Sequence, residues 1–142
     1  MYGVTNIFFD DVSAAAAQET YYQTLSAYVH QQAAGSLTML NPGTVPDQSY
    51  INAGDILAIF EGDYSTYQST TFPAWVKSYA ASHFFHIIYN VTAGEMPGVL
   101  TKAEQNNAGY VYATDDILPN PYDTVPSYLP SEASTAHSNC ST

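Results

Sequence analysis

The sequence predicts an α/β protein built on a parallel sheet. Short apolar runs alternate along the chain with segments of helical periodicity, and the runs are apolar on both predicted faces. Such runs are typical of strands in a parallel sheet that helices cover. Two architectures fit the pattern, namely an open doubly wound sheet and a closed (β/α)8 barrel.

The elements follow from periodicity and from turn residues. Five strands are predicted, which are GVTNIFFDD (3–11), SLTML (36–40), DILAIFEG (55–62), FFHIIYN (84–90) and GYVYATDD (109–116). Helical spacing predicts helices over 13–34, 73–82 and 94–107, the first ended by Gly35 and the second opened by Pro73. Four prolines follow Leu118 and predict a loop, a short helix and a loose end. We therefore expect one domain over residues 1–130 and a polar tail over 131–142.

The residues at the strand ends favour the barrel. The glycine-rich phosphate loops of nucleotide-binding sheets are absent from the sequence. Four strands finish instead in polar groups, and the remaining one finishes in Tyr89 and Asn90. The four groups are Asp10-Asp11, Asn41, Glu61 and Asp115-Asp116. A (β/α)8 barrel builds its active site from these C-terminal strand ends.

The composition excludes several classes of partner. The formal net charge is −11, with two basic residues against thirteen acidic ones, so nucleic acid and anionic membrane surfaces would be repelled. The single cysteine, Cys140, has no partner for a disulfide within the chain, and no Cys/His cluster indicates a metal site. We expect no metal and no organic cofactor.

The composition is also typical of a secreted or wall-associated protein. Basic residues are rare, tyrosines number 13, and two N-glycosylation sequons occur, Asn90-Val91-Thr92 and Asn139-Cys140-Ser141. The sequence shows no signal peptide and no apolar stretch that could span a bilayer. We expect any export signal to have been removed or to lie upstream.

Five segments in this order resemble a known family. GVTNIFFDD, LNPGT, ILAIFEGDY, HIIYNV and GYVYATDD…NPYDTVPSYL are similar to the C-terminal half of the spherulin-4-like proteins. These are (β/α)8 glycoside hydrolases that include fungal enzymes cutting α-1,4-linked N-acetylgalactosamine polymers. The resemblance implies that the chain covers about strands four to eight, a partial barrel, because a full barrel needs about 250 residues. It also implies a fragment with two open sheet edges and an exposed interior layer of Ile7, Phe9, Ile59 or their neighbours. Such a fragment would be inactive alone, and would self-associate or need a complementing N-terminal half.

Glycoside hydrolysis takes two carboxyl groups, and Asp10 and Glu61 can fill those roles. They end strands separated by one strand, so their backbones should lie about 9 to 10 Å apart, which suits either a retaining or an inverting enzyme. The resemblance implies Asp10 as nucleophile or charge stabiliser, Glu61 as general acid/base and Asp11 as an orienting or sugar-binding group. The family carries Asp-Glu at the first position, so Asp11 is shorter by one methylene. The alternative is that Asp10 and Asp11 only cap the following helix.

Further residues are candidates for substrate binding, each with a structural alternative. Asn41 could bind a sugar hydroxyl or build an Asx turn. Tyr64 and Tyr67 could stack on sugars or pack in the core, and Tyr89 lies at a strand end. Asp115 and Asp116 could bind an amino sugar or form a turn. His86, inside an apolar strand, is interpreted as a core histidine.

The resulting hypothesis is an extracellular, retaining endo-glycosidase that acts on an α-1,4-linked galactosamine or N-acetylgalactosamine polymer. The alternatives are a non-catalytic spore-coat, cell-wall or carbohydrate-binding protein, and an inactive truncated fragment.

Overall fold

The computed structural model describes residues 4–139, and their side chains up to residue 136. Its elements are β1 (Ile7–Phe9), α1 (Glu19–Gln32), β2 (Thr38–Leu40), β3 (Ile56–Asp63), α2 (Tyr64–Ser69), β4 (Phe84–Tyr89), α3 (Met96–Gln105), β5 (Tyr110–Ala113) and α4 (Leu129–Asn139). The five strands form one parallel sheet in the order β1-β2-β3-β4-β5. The predicted parallel α/β sheet is confirmed. Within the described residues the sheet does not close on itself.

Strand β3 contains a β-bulge that changes which face its side chains occupy. Its register against β4 shifts by one residue between Ala58 and Phe60. Ile59 and Phe60 are adjacent in sequence, yet both pack among the buried side chains of the helix-covered face. Glu61 consequently lies on the opposite face, where it lines a cleft. Bulges often re-aim a side chain in this way next to active sites.

The helices pack against one face of the sheet through two clusters of buried side chains. The first cluster includes Leu40, Tyr50, Leu57, Ile59, Val76 and Phe84. The second includes Phe60, Tyr67, Ile88, Val99 and Leu100. The other face of the sheet has no such layer among the described residues, and its Phe8 is 49% exposed.

Of the residues predicted for the exposed interior layer, which were Ile7, Phe9, Ile59 or their neighbours, it is a neighbour that lies on the uncovered face. Ile59 belongs to the helix-side core, and Phe9 packs against it. The neighbouring Phe8 lies on the uncovered face, together with Phe85 and Ile87. In short strands that are apolar on both faces, the sequence pattern carries no signal that distinguishes one face from the other.

The segment between β3 and β4 also differs from the prediction. In place of a helix over 73–82, the structure has α2 directly after β3 and two 3-10 helices, Ala74–Ser78 and Ala81–His83. Asp63 begins α2, because its carboxylate accepts the backbone N–H of Ser65 at 2.7 Å. The extended backbone at Tyr79 interrupts the predicted helix. A six-residue helix is too short to show helical periodicity in the sequence.

Helix α4 crosses the boundary that the sequence predicts at residue 130. Glu132 of this helix is buried, and its Oε1 accepts the backbone N–H of Ala113 in β5 at 2.8 Å. Burial raises the pKa of the Glu132 carboxyl. The start of the predicted tail is thus tied to the sheet, whereas Cys140 and most of the second sequon lie outside the described residues. No helix in the described part of the chain is long and apolar enough to cross a membrane.

His86 is a core histidine, as the sequence predicts. The residue is fully buried, its ring stacks on Phe72 with centroids 4.5 Å apart, and its Nδ1 lies 2.8 Å from the hydroxyl of Tyr67. Burial lowers the pKa of His86 from 6.5 to about 3. The imidazole is therefore neutral in the folded protein at physiological pH.

Acid is expected to destabilise the fold through His86. Between about pH 3 and pH 6.5 the unfolded chain binds a proton at this position that the folded chain does not bind. The free energy of unfolding should therefore fall as the pH is lowered through this window, by up to about 1.4 kcal/mol per pH unit. Urea denaturation at one fixed chain concentration, at pH 7 and pH 5, measures the effect. His86→Gln should have a shallower pH dependence, and an equal slope in the two proteins would contradict the assignment.

Candidate active site

The C-terminal ends of β1, β2 and β3 bring three predicted site residues together. Asp10 follows β1, Asn41 follows β2, and Glu61 lies near the end of β3. Because these strands are adjacent and parallel, their ends meet at one edge of the sheet. The bulge in β3 is required for Glu61 to lie on the same face as the other two.

Asn41 joins the two carboxylates. Its Nδ2 donates to Asp10 Oδ1 at 2.9 Å and to Glu61 Oε2 at 2.6 Å. Its Oδ1 accepts the backbone N–H of Gly43 at 3.0 Å. Asn41 is 4% exposed, and these bonds use both amide hydrogens and the oxygen. The amide is thereby fixed in the one orientation that donates to both carboxylates. Asn41 therefore builds a turn, one of the two roles that the sequence left open, and it also joins the two carboxylates, which the sequence did not predict.

The turn after β2 holds this arrangement through Gly43. This residue has φ +64°, a conformation that favours glycine. Its carbonyl accepts the backbone N–H of Glu61 at 2.9 Å, while its own N–H donates to Asn41. The Pro-Gly pair in LNPGT thus connects the turn after β2 to Glu61 in β3.

Tyr122 completes the cluster and was not predicted as a site residue. Its hydroxyl donates to Glu61 Oε1. Burial, and next the bond to Glu61, raise the pKa of this phenol. The residue lies in the loop between β5 and α4, 61 positions from Glu61. The segment NPYDTVPSYL contains Tyr122 and carries part of the family resemblance, so it was the signal that could have identified this residue. The sequence does not show, however, that this segment folds back onto Glu61.

Asp11 lies beside the cluster in an unusual backbone conformation. Its φ is +53°, and it lines a shallow groove of about 420 Å³ with Asp10, Asn41 and Glu61. Asp is among the non-glycine residues that tolerate this region best. The short acid at position 11 is thus compatible with this backbone conformation.

Two of the predicted tyrosines belong to the helix-side core, and the third lies at a strand end. Tyr67 is fully buried in the helix-side core, and Tyr64 packs against the same cluster at the start of α2. The structure thus places neither ring at the cleft. Tyr89 ends β4 and is close enough to Tyr122 that its charge would contribute to the raised pKa of Tyr122.

The two aspartates after β5 have separate surroundings. Asp115 is exposed at the strand end. Asp116 bonds within its own loop, since Oδ2 accepts the hydroxyl of Thr124 at 2.8 Å and Oδ1 accepts the N–H of Ile117 at 2.9 Å. The hydroxyl of Thr124 and the N–H of Ile117 lower the pKa of Asp116, whereas the bond to Asp116 raises that of Asp123. Asp116 therefore anchors the loop that carries Tyr122.

A cleft of about 250 Å³ lies beneath the carboxylates on the uncovered face. Its polar rim is formed by Asp10, Asn41, Glu61 and Tyr122, and its floor by Phe8, Phe85, Ile87 and Tyr112. Apolar pockets with a few convergent polar groups are typical of ligand sites. Within residues 4–139, no group of three His, Cys, Asp or Glu side chains is placed to hold a metal ion.

Comparison with known proteins gives three findings. The profile of Spherulin4, described as spherulation-specific family 4, matches residues 1–136. Spherulin-4 of Physarum polycephalum is 31% identical over 145 residues, which cover 95% of this chain and 43% of that protein. The crystal structure of Aspergillus clavatus Sph3 in complex with GalNAc is similar with a TM-score of 0.75 and 20% identity. This similarity covers 94% of this chain and 56% of that chain.

The structural similarity shows a common fold, and the sequence matches show the family. The chain spans less than half of Spherulin-4 and somewhat more than half of Sph3. The resemblance noted in the sequence is confirmed over nearly the whole chain. This chain belongs to spherulation-specific family 4.

Proposed function

We propose that the chain carries the catalytic carboxylates of a (β/α)8 glycoside hydrolase. Five parallel strands in sequential order, with helices packed on one face, are what a sector of such a barrel contains. The similarity of fold to Sph3 supports this arrangement. In this proposal the uncovered face, with Phe8, Phe85 and Ile87, is the barrel interior. Closing such a barrel would require strands in addition to the five described.

The observation that carries the proposal is the pair of carboxylates bound to a single amide group. Asp10 and Glu61 both accept from Asn41 Nδ2, so the two accepting oxygens are at most about 5.5 Å apart, the two bonds laid end to end. Carboxyl groups about 5 to 5.5 Å apart are typical of retaining glycosidases, whereas inverting enzymes need about 6.5 to 9.5 Å. The separation supports a retaining mechanism.

The roles follow from this geometry and from the family resemblance. Asp10 attacks or stabilises the anomeric carbon, and Glu61 first protonates the leaving oxygen and then activates water. Asn41 fixes the two carboxylates relative to each other through its hydrogen bonds, and Asp11 orients the substrate from the adjoining groove. The apolar floor of the cleft lies within reach of the same sugar ring.

The substrate class follows from charge and from the relatives. The chain has a formal charge of −11, and the exposed acids Asp10, Asp11 and Asp115 lie at the edge of the sheet that carries the site. Such a surface attracts a cationic polymer over long range. The GalNAc complex of Sph3 supports galactosamine-type sugars. We therefore propose an α-1,4-linked polymer of galactosamine and N-acetylgalactosamine as the substrate, and a secreted or wall-associated location where such polymers occur.

The test is release of reducing ends from this polymer. Two forms of the protein are assayed, namely the chain as it stands and the chain joined to the part of Spherulin-4 that the match leaves out. The joined form is expected to cleave the α-1,4-linked galactosamine polymer and to leave β-1,4-linked chitosan intact, with the first product retaining its anomeric configuration. Binding of the polymer without cleavage by a folded joined form would favour the competing function, a carbohydrate-binding wall or spore-coat protein.

A further inference from the structure

We propose that Tyr122 is a positioning residue for Glu61, and that the turn at Asp116 holds it in place. The inference rests on the proposed function for its catalytic meaning and on hydrogen bonds for its geometry. Tyr122 was predicted neither as a catalytic nor as a binding residue.

The first step is the environment of the Glu61 carboxylate. Tyr122 donates to Oε1, and Asn41 donates to Oε2 at 2.6 Å. Each oxygen therefore has its own donor, one from the β5–α4 loop and one from the β2 turn. With two donors on opposite oxygens, the carboxylate plane is fixed relative to Asp10. Removing either donor would free the group to rotate, and a misplacement of about 1 Å can cost roughly a hundredfold in rate.

The second step is how the loop delivers Tyr122. The ring is 43% exposed, so packing alone does not fix it. Asp116 instead closes the loop by accepting from Ile117 at its start and from Thr124 beyond Tyr122. The backbone oxygen of Asp116 also accepts the N–H of Asn90 at 2.9 Å, which ties the loop to the end of β4. The position of the Tyr122 phenol thus depends on the hydrogen bonds of Asp116, which lie outside the cleft.

The third step is electrostatic. The titratable groups that face the Tyr122 hydroxyl are Glu61 from β3, Asp10 after β1 and Tyr89 from β4. A phenol that donates to a carboxylate favours the ionised form of that carboxylate. Tyr122→Phe removes the donor and keeps the ring. Any loss of activity in this variant then reports the missing hydrogen bond to Glu61 and not a missing ring.

Kinetics of three variants test this inference in whichever form of the protein cleaves the polymer. Tyr122→Phe should lower kcat about tenfold or more with little change in KM. Thr124→Val removes the hydrogen bond to Asp116 with little change of shape and should give part of the same loss in kcat. The double variant should add little to Tyr122→Phe, because both changes act through one contact. Tyr28→Phe, an exposed tyrosine on α1, is the matched control and should behave as wild type.

A readout that needs no activity separates this inference from the proposed function. Carboxyl ¹³C NMR of the chain as it stands, at pH 7, should show a different chemical shift for Glu61 in Tyr122→Phe and an unchanged one in Tyr28→Phe, because only the first substitution removes a donor to this carboxylate. If that difference is present but no form of the protein cleaves the polymer, the proposed function fails and the positioning role stands. An unchanged Glu61 resonance together with an unchanged kcat would overturn the inference and leave Tyr122 as, at most, a ring that contacts substrate.

Discussion

Glu61→Gln is expected to lower kcat on the α-1,4-linked galactosamine polymer by about 10²- to 10⁴-fold, the usual contribution of a general acid/base. Glutamine keeps the size of the side chain and can still accept the hydroxyl of Tyr122. It cannot transfer a proton, and its amide would also meet the donating Nδ2 of Asn41. Steady-state release of reducing ends measures the loss, and the circular dichroism spectrum should remain that of the wild type.

Asp10→Asn should lower kcat by a similar factor for a different reason. Substrates with different leaving groups distinguish this variant from Glu61→Gln. An aryl glycoside with an acidic phenol needs no proton to depart. Its cleavage should therefore be partly restored in Glu61→Gln but not in Asp10→Asn, if Glu61 is the acid and Asp10 acts at the anomeric carbon. The opposite pattern would exchange the two roles.

Glu104→Gln is the matched control for both substitutions. Glu104 is an exposed carboxylate of helix α3, so its replacement removes the same charge without touching the Asn41 bridge. Its activity should be within about twofold of wild type at moderate salt, because exposed charges are screened. If Glu61→Gln and Asp10→Asn were as active as Glu104→Gln, the carboxylate pair would not be catalytic.

The chain as it stands is expected to self-associate and to show little or no hydrolase activity. Among the described residues β1 and β5 each pair with a single neighbour, so the sheet has two open edges. The uncovered face adds partly exposed apolar rings, including Phe8 and Tyr110 at 49% and 41% exposure. Each Å² of apolar surface removed from water contributes about 25 cal/mol, and open edges are templates for pairing with another chain. An open cleft also leaves water in contact with the reacting groups.

Light scattering after size-exclusion chromatography decides this prediction. The chain alone should elute as an oligomer, and the form joined to the remainder of Spherulin-4 should elute as a monomer. Phe8→Lys, on the uncovered face, should shift the chain toward smaller species. Tyr28→Lys makes the matched change at a more exposed position on the outer helix α1 and should leave the association unchanged. If the chain alone were monomeric and cleaved the polymer at the rate of the joined form, both the expected self-association and the expected lack of activity would be wrong.

Much of the sheet and the centre of the site could be predicted from the sequence. The five strands were located because long apolar runs bounded by polar residues and turn residues are a local signal. Asp10, Asn41 and Glu61 could be grouped because the ends of adjacent parallel strands meet at one edge. This grouping requires only the order of the strands in the sheet. Strands that alternate with helices along the chain usually lie side by side in sequence order.

What could not be predicted depends on contacts between distant parts of the chain. The bond from Tyr122 to Glu61 joins residues on different loops, and the loop prolines of this segment give no helical or strand period. Tyr67 was a candidate for sugar stacking, yet its ring belongs to the core because α2 begins immediately after β3. Asp116 was a candidate for substrate binding, yet its carboxylate is engaged by its own loop, which only the folded path of residues 117–124 shows.

The bulge in β3 means that the strand carrying Glu61 contains a change of phase that residue identities alone do not encode. Up to Ala58 the strand follows one alternation of faces, and from Phe60 onward it follows the other. If all residues of β3 were kept but paired regularly with β4, Glu61 would turn toward the helices and the cleft would lose this carboxylate. Deleting the one extra residue would instead leave Glu61 opposite Ile87, on the cleft face. The face that Glu61 occupies is therefore set by its register against β4, so relatives with a β3 of a different length should be compared by this register and not by their alternation of apolar and polar residues.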